Sequence, residues 1–385
     1  MVIVPDRITD ILIKGEYQPN YYNPGELFPE VHLVTTTDDR PDLAALQRTV
    51  GRARLHVHNV PDDLNLVGGR WKRWWKKPLR DWAKRGVRLA RDIRPQLIRC
   101  HGADWNTYMA SQIKEATGTP YVVSLHINAD INPTRRYRGP TLTAAEQAHN
   151  EFYEFIEMTG LQNADLVMPV YKPILPYLQR LGVERVQVCY NILNGDHLRA
   201  KTDYSIRGPL KVLYVGRLVE DKNPNHIIDA LARMPSATLT IVGDGPIRSQ
   251  LEAQVATLSL GDRVRFEPAV PNDELCARLP EFDLFAIHTE YWELSKSLLE
   301  ALLTGLPVVI NRRIGDQVPE LAESNIVRFV DNDATSYHDA ISTLAAYREQ
   351  REALGRRAFA HAQAHWSPAK TEAAVVDVYQ RLMRA

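Results

Sequence analysis

Cysteine is scarce in this chain. Cys100, Cys189 and Cys276 are spread over 385 residues, which excludes a disulfide framework and a thiolate metal site. Such usage fits a reducing cytosol. Charge of one sign is also missing: 47 lysines and arginines balance 47 aspartates and glutamates. A zero net charge removes the bulk electrostatic footprint of a nucleic-acid binder. No apolar run approaches the roughly 20 residues a helix needs to cross a bilayer. The opening MVIVPDRITDILIKGEY lacks a basic start followed by a long apolar stretch, so no secretory leader is expected. Repeats and low-complexity tracts are absent as well. What remains is a globular composition with 24% charged residues and length for two ordinary domains, expected in the cytoplasm.

Short apolar runs alternate with amphipathic helical patterns along the whole chain. Strands are expected at 31–35, 54–58, 96–100, 121–125, 165–169 and 186–190, and in a second series at 211–215, 238–242, 263–267, 283–287, 307–310 and 327–330. Helical patterns lie between many of them, for instance at 226–234, 247–258 and 296–304. This alternation predicts parallel sheets covered by helices. The polar segment NGDHLRAKTDYSIRGP, 194–209, interrupts the pattern midway. The expected fold class is therefore α/β, with two doubly wound Rossmann-like domains facing across a cleft and ligands at the carboxyl ends of the strands. The expected boundaries are 1–198, 199–368 and a C-terminal helix over 369–385.

The densest chemistry lies at 283–309, DLFAIHTEYWELSKSLLEALLTGLPVV, where a strand, a polar loop and a helix carrying Glu300 follow one another. A strand-loop-helix junction offers backbone N–H groups and a helix dipole to an anion. LKVLYVGRLVEDK, 210–222, places Gly216 at a strand end, with Arg217 and Lys222 on the next loop. Two cations there suit a diphosphate, Arg as a fork and Lys as a point charge. They are equally consistent with solvated cations at a turn. TLTIVGDGP, 238–246, ends a strand in Gly243-Asp244-Gly245-Pro246, either a cleft-lining turn or an ordinary α/β connection. His126 and His101 each follow a buried strand. Such a residue can touch substrate hydroxyls or simply finish the strand. Asp331-Asn332-Asp333 has the look of a metal-binding pair but sits in a polar loop and reads as a turn.

One stretch has an unusual bias. Residues 70–77 place Trp71, Trp74 and Trp75 among Arg70, Lys72, Arg73, Lys76 and Lys77, and Pro78 separates them from a helical pattern at 79–94. A basic stretch with tryptophans can lie on an anionic membrane surface. It can equally pack its rings on the sheet and leave its cations in water.

Together these residues resemble the retaining family-four glycosyltransferases with the GT-B fold. The likeness is strongest from Leu210 to Trp366, through Gly216, Arg217, Lys222, Gly243-Asp244-Gly245-Pro246, LLEALLTGLPVV at 298–309, and Gly315 with Glu320. In the first half RPQLIRCHG, PYVVSLH, NADLVMPV and Asn191 fit the family's strand ends. The resemblance implies that Arg217 and Lys222 bind a donor diphosphate, aided by Ser297 and Leu298 at a helix start. It implies that Glu300 binds ribose, that His126 contacts the transferred sugar, and that the last helix returns to the first domain. Gly216, Gly243 and Gly245 would line the donor site. Two departures stand out. Trp292 occupies the place of the first glutamate of the family's Glu-x7-Glu pair, with Glu293 beside it and Glu290 two residues before, either of which would take over the sugar contact. The start carries Gly15 and Gly25 but no adjacent glycine pair. The expected activity is a retaining, metal-independent transfer from a nucleoside-diphosphate sugar to a cell-surface glycan or lipid-linked acceptor, with no cofactor, no metal and no nucleic-acid partner. A nucleotide-sugar epimerase or phosphorylase on a related fold is the alternative, as is a non-catalytic nucleotide-sugar binder.

Overall fold

The computed structural model describes residues 1–13, 18–62, 75–132, 135–313 and 317–384. Gly15, Gly315 and residues 70–74 of the basic-aromatic run lie outside them. The chain divides into two compact units. One is formed by Met1–Ile13, Tyr17–Ile192 and Thr371–Ala385, the other by Leu193–Lys370.

Each unit is built on a six-stranded parallel sheet. The first contains β1 (Val2–Val4), β2 (Glu30–Thr35), β3 (Arg54–Asn59), β4 (Ile98–His101), β5 (Tyr121–Leu125) and β6 (Leu166–Pro169), in the order β3-β2-β1-β4-β5-β6. The second contains β7 (Leu210–Val215), β8 (Ala237–Val242), β9 (Val264–Glu267), β10 (Leu284–Ile287), β11 (Val308–Asn311) and β12 (Arg328–Val330), in the order β12-β11-β10-β7-β8-β9. The two orders are the same doubly wound pattern. Its direction reverses between β1 and β4 and again between β7 and β10, and ligands of such sheets sit outside the carboxyl ends at that point. Helices on both faces explain why β4, β5, β10 and β11 are buried at every residue, Arg99 and His101 of β4 included.

The alternating strand-helix pattern thus yields the expected α/β class, with two differences in detail. No strand forms at 186–190; only an isolated bridge joins Val186 to Val167. Cys189 donates its amide to the Pro169 carbonyl at 3.0 Å, but Pro169 has no N–H with which to extend the ladder. Conversely, Val2–Val4 forms the central strand of the first sheet, paired with β2 and β4. Three residues are too few to announce a strand by periodicity. The C-terminal helix Pro368–Arg384 sets Val375, Val378 and Tyr379 into the core of the first unit with Leu97, Val122, Met168 and Cys189.

The centre of the first sheet is tied by one side chain. Asn106, fully buried in helix Trp105–Thr117, donates to the carbonyls of His101 at 2.9 Å, Ile3 at 3.2 Å and Gly102 at 3.2 Å. Its carbonyl accepts from the Asp104 amide at 3.0 Å. One carboxamide therefore closes the ends of β1 and β4. Replacing it strands several buried backbone groups, each worth about 1–3 kcal/mol. Asn106→Ala is expected to lower stability by about 3 kcal/mol in urea unfolding, and a loss near zero would remove this role.

Candidate functional site

In the second unit the loop after β7 runs through Gly216 and Arg217 into a short turn, Glu220–Lys222. It lies against the loop after β8. The Leu218 amide donates to the Asp244 carbonyl at 2.9 Å, and the Ile247 amide to the Leu218 carbonyl at 3.2 Å. Contact this close leaves no room for side chains. A Cβ on Gly243 (φ 144°) would stand 2.0 Å from the Gly216 oxygen, and one on Gly245 (φ 158°) 2.2 Å from the Leu218 oxygen. Both glycines thus have a packing reason of their own, loop against loop.

The segment after β10 is pinned at its first residues. The Asn311 carboxamide accepts from the Thr289 amide at 3.0 Å and donates to the Thr289 carbonyl at 3.1 Å. Further on, the Glu290 amide donates to the Asp221 carbonyl at 2.8 Å, and the Tyr291 hydroxyl to the Asp221 carboxylate at 2.8 Å. Burial and that carboxylate push the Tyr291 hydroxyl up to about 12. Arg313, buried, donates from Nε to the Tyr291 carbonyl. Asp221 therefore ties the loop after β7 to the loop after β10, while Arg313, beyond β11, holds the carbonyl side of Tyr291.

Across them runs an ion pair. Lys222 Nζ lies 2.6 Å from Glu293 Oε1, with side chains only 14% and 19% exposed. The Lys222 ammonium also stands 5.9 Å from the centre of the Tyr291 ring. Arg217 is exposed beside this pair in sequence, while Glu290 is exposed and Trp292 half-buried. Ser295 caps helix Lys296–Thr304, its hydroxyl accepting from the Leu298 amide at 3.3 Å. The Leu298 N–H is thereby committed to the cap. Ser297 donates to the Val215 carbonyl at 3.4 Å, so the positive end of this helix meets the end of β7. Glu300 is buried and accepts from Asn272 at 2.7 Å. The structure thus gathers Gly216, Lys222, Glu293, Ser297 and Leu298 around the adjacent ends of β7 and β10. Glu300 lies further along the helix against Asn272.

In the first unit His101 and His126, at the ends of β4 and β5, stack with ring centres 5.9 Å apart. The Tyr171 hydroxyl donates to the His126 carbonyl at 2.6 Å. His101 also meets the rings of Tyr21 and Tyr22 at 5.2 and 5.3 Å. Trp75 turns inward, its ring 4.7 Å from that of Phe155 and 5.3 Å from that of Phe152. Asp333 of the Asp-Asn-Asp stretch caps helix Ala334–Ala346 by accepting from the Ser336 amide, which agrees with the turn reading.

Sequence reasoning passed over Tyr291, Asn311, Arg313 and His288. None carries a motif; all act through positions that only the paired strand ends bring close. His288 could have been flagged as a histidine directly after an apolar run.

Two domain-family models match the chain. "Glycosyl transferases group 1" covers residues 200–361, and "Glycosyl transferase 4-like domain" covers 26–191. A 2-deoxystreptamine glucosyltransferase of Streptomyces kanamyceticus is 27% identical over 245 residues, 58% of this chain and 61% of that protein. The lipopolysaccharide core biosynthesis glycosyltransferase LpsE of Rhizobium meliloti is 30% identical over 231 residues, 59% of this chain and 66% of its own length. The chain thus spans under two thirds of each. Among solved structures, sucrose-phosphate synthase of Thermosynechococcus elongatus superposes with a TM-score of 0.71 at 18% identity, covering 100% of this chain and 99% of that one. Anabaena HepE, solved with UDP and glucose, superposes with a TM-score of 0.70 at 16% identity, covering 98% and 99%. At such identities the likeness is one of fold. The paired sheets and the two matched domains are those of the GT-B glycosyltransferase class. Within that class the chain belongs to family four.

His288 carries a pH signature. It is 3% exposed, and burial, with His226 and Arg313 adding repulsion, lowers its imidazole from 6.5 to about 4. The unfolded chain therefore takes up this proton first. The stabilisation is complete above pH 6.5, falls as pH drops, and is gone below about 4, a total of about 3 kcal/mol. His288→Gln is expected to make the acid side of the stability–pH curve shallower than wild type within that window. Identical slopes would mean that His288 accepts its proton in the folded protein.

Proposed function

We propose that this protein transfers a sugar, with retention of anomeric configuration, from a nucleoside-diphosphate sugar to a cell-surface glycan or lipid-linked acceptor. The observation that carries the reading is the Lys222–Glu293 pair at the ends of β7 and β10, beside the start of helix Lys296–Thr304 and the loop bearing Arg217. Breaking the donor's glycosidic bond leaves an extra negative charge on the diphosphate. Preorganised positive groups aimed at such charge are usually the largest catalytic contribution. Lys222 and Arg217 supply full charges, and the helix start adds its dipole through the first turn at Ser297. Leu298 contributes by packing, since its N–H serves the cap. Glu300 takes the ribose hydroxyls in exchange for its bond to Asn272. Gly216 has its Cβ position taken by the Tyr214 hydroxyl, 2.9 Å away, so it brings backbone rather than a side chain to the strand end, and Gly243 and Gly245 hold the neighbouring loop against it. In the second unit one of Glu290 and Glu293 takes the sugar, with Trp292 between them in sequence; in the first unit the family resemblance gives His126 a sugar contact. HepE has been solved with UDP and with UDP-glucose, which makes uridine donors the first to try. LpsE belongs to lipopolysaccharide core biosynthesis, which favours a surface glycan as acceptor.

The reading of 70–77 as a contact with an anionic membrane is retained for residues 70–74, with Lys76 and Lys77, since Trp75 packs on Phe152 and Phe155. No helix among the described residues is long and apolar enough to cross a membrane.

Charged hydrogen bonds to a diphosphate are each worth about 1.5–3 kcal/mol. Arg217→Ala and Lys222→Ala are each expected to weaken UDP binding about ten- to a hundredfold in calorimetry. Glu300→Gln is expected to lose affinity for UDP with its fold intact. Unchanged affinity in all three variants would sink the donor assignment.

Transfer is further expected to persist in EDTA, because the cations of the site already offset the leaving diphosphate. Complete loss restored by magnesium or manganese would show that a metal carries that charge instead.

A further inference from the structure

Glu30, His32, His56 and His58 lie on one face of the first sheet, away from the residues discussed so far. β3 is the edge strand, and its register on β2 sets His32 directly opposite His56. Side chains two apart share a face, which adds Glu30 on one side and His58 on the other. The His32 and His56 rings stack with centres 4.4 Å apart and 9° between planes; His58 continues the stack 5.2 Å from His32. A Glu30 carboxylate oxygen stands 2.6 Å from His56 Nε2 and 3.5 Å from His32 Nε2.

We propose that Glu30, His32 and His56 form a binding site for a divalent ion of the zinc class, with His58 as the residue that orients His32. Two imidazoles and a carboxylate are the donor set of an open zinc site, in which water takes the fourth position. Bonds of about 2.1 Å at tetrahedral angles put ligand atoms about 3.4 Å apart. Here the three candidate atoms all lie within 4.8 Å of one another, so small side-chain rotations suffice. His32 Nδ1 is 3.0 Å from His58 Nε2. When Nδ1 carries the shared proton, Nε2 of His32 presents its lone pair towards Glu30, as the second nitrogen of a metal-bound histidine usually requires. Solvent reaches the cluster, since the Glu30 side chain is 45% and that of His56 35% exposed. The cluster is at the amino half of β2 and β3, whereas ligands of doubly wound sheets sit at the carboxyl ends. Its ion is therefore structural: it adds a side-chain clip between the edge strand β3 and its partner β2, where sheets most need protection.

The rival account is that protonated His56 makes a plain ion pair with Glu30 and the rings merely stack. Calorimetric titration of the full, untagged chain with zinc chloride separates the two, with cobalt(II) absorption reporting four-coordinate geometry. One saturable site is expected, together with zinc-dependent protection of β3 amides in hydrogen exchange. His56→Gln and Glu30→Gln should each weaken binding at least about tenfold, and His58→Phe about ten- to a hundredfold. His361→Gln should leave it unchanged; that residue stacks on His365 in helix Arg348–Trp366 and controls for stray histidine pairs. Thermal unfolding in EDTA checks that the variants fold. No saturable binding, or binding that survives His32→Gln with His56→Gln, overturns the proposal. So does binding that His361→Gln abolishes.

Discussion

A parallel strand that is covered on both faces must still end, and its last peptide groups then lose the partners that the ladder supplied. Much of the polar chemistry in this protein answers that constraint. Asn106 closes β1 and β4 with one carboxamide, and Asn311 does the same for the first residue beyond His288 after β10. The Tyr171 hydroxyl satisfies the His126 carbonyl, and the Tyr337 hydroxyl satisfies the Ile287 carbonyl at 2.8 Å. Each is a buried side chain placed to complete a strand end. Each therefore also decides where the next loop starts. The positions of His126 and Thr289 follow from these closures rather than from their own preferences.

The electrostatic character of the second unit follows in turn. Burying charges is unfavourable unless they are paired. Around β7 and β10 three such pairings are seen: Lys222 with Glu293, Tyr291 with Asp221, Glu300 with Asn272. The side chains assigned to the nucleotide in the proposed reading are thus also ones that hold these loops. Glu267 with Arg278 shows the purely structural version of the same device, the guanidinium at 2.8 Å holding that carboxyl below its usual range.

The fold was legible because β-branched runs of four to six residues recur with helical stretches between them, and no other class repeats that alternation. Eleven of the twelve expected strands match observed ones to within two residues at their ends. The failures have local causes. Val2–Val4 is short, and 186–190 has the composition of a strand but faces a proline-ended neighbour. In the candidate site the charged residues could be named because loops after buried strands are few. Their pairing could not. The Ser295 cap that takes the Leu298 amide is local, three residues away, and could have been read. That Glu293 rather than Glu290 meets Lys222 depends on the distance between two loops about 70 residues apart in sequence, and spacing carries no information about it. Arg313 and Asn311 were invisible for the same reason.

On the proposed reading the Lys222–Glu293 contact would also act as a threshold on ligand charge. An anion that reaches Lys222 must compete with a carboxylate already seated 2.6 Å away. A group bearing a single diffuse charge gains little by the exchange, because it only replaces one monovalent partner with another. A pyrophosphate brings more charge and more acceptor atoms than the carboxylate it displaces, and the released Glu293 would keep a long contact, 3.5 Å, from the Thr289 hydroxyl. The resting pair would thereby filter ligands by valence, rejecting common monoanionic metabolites, and would couple the arrival of the correct one to the release of a reactive side chain.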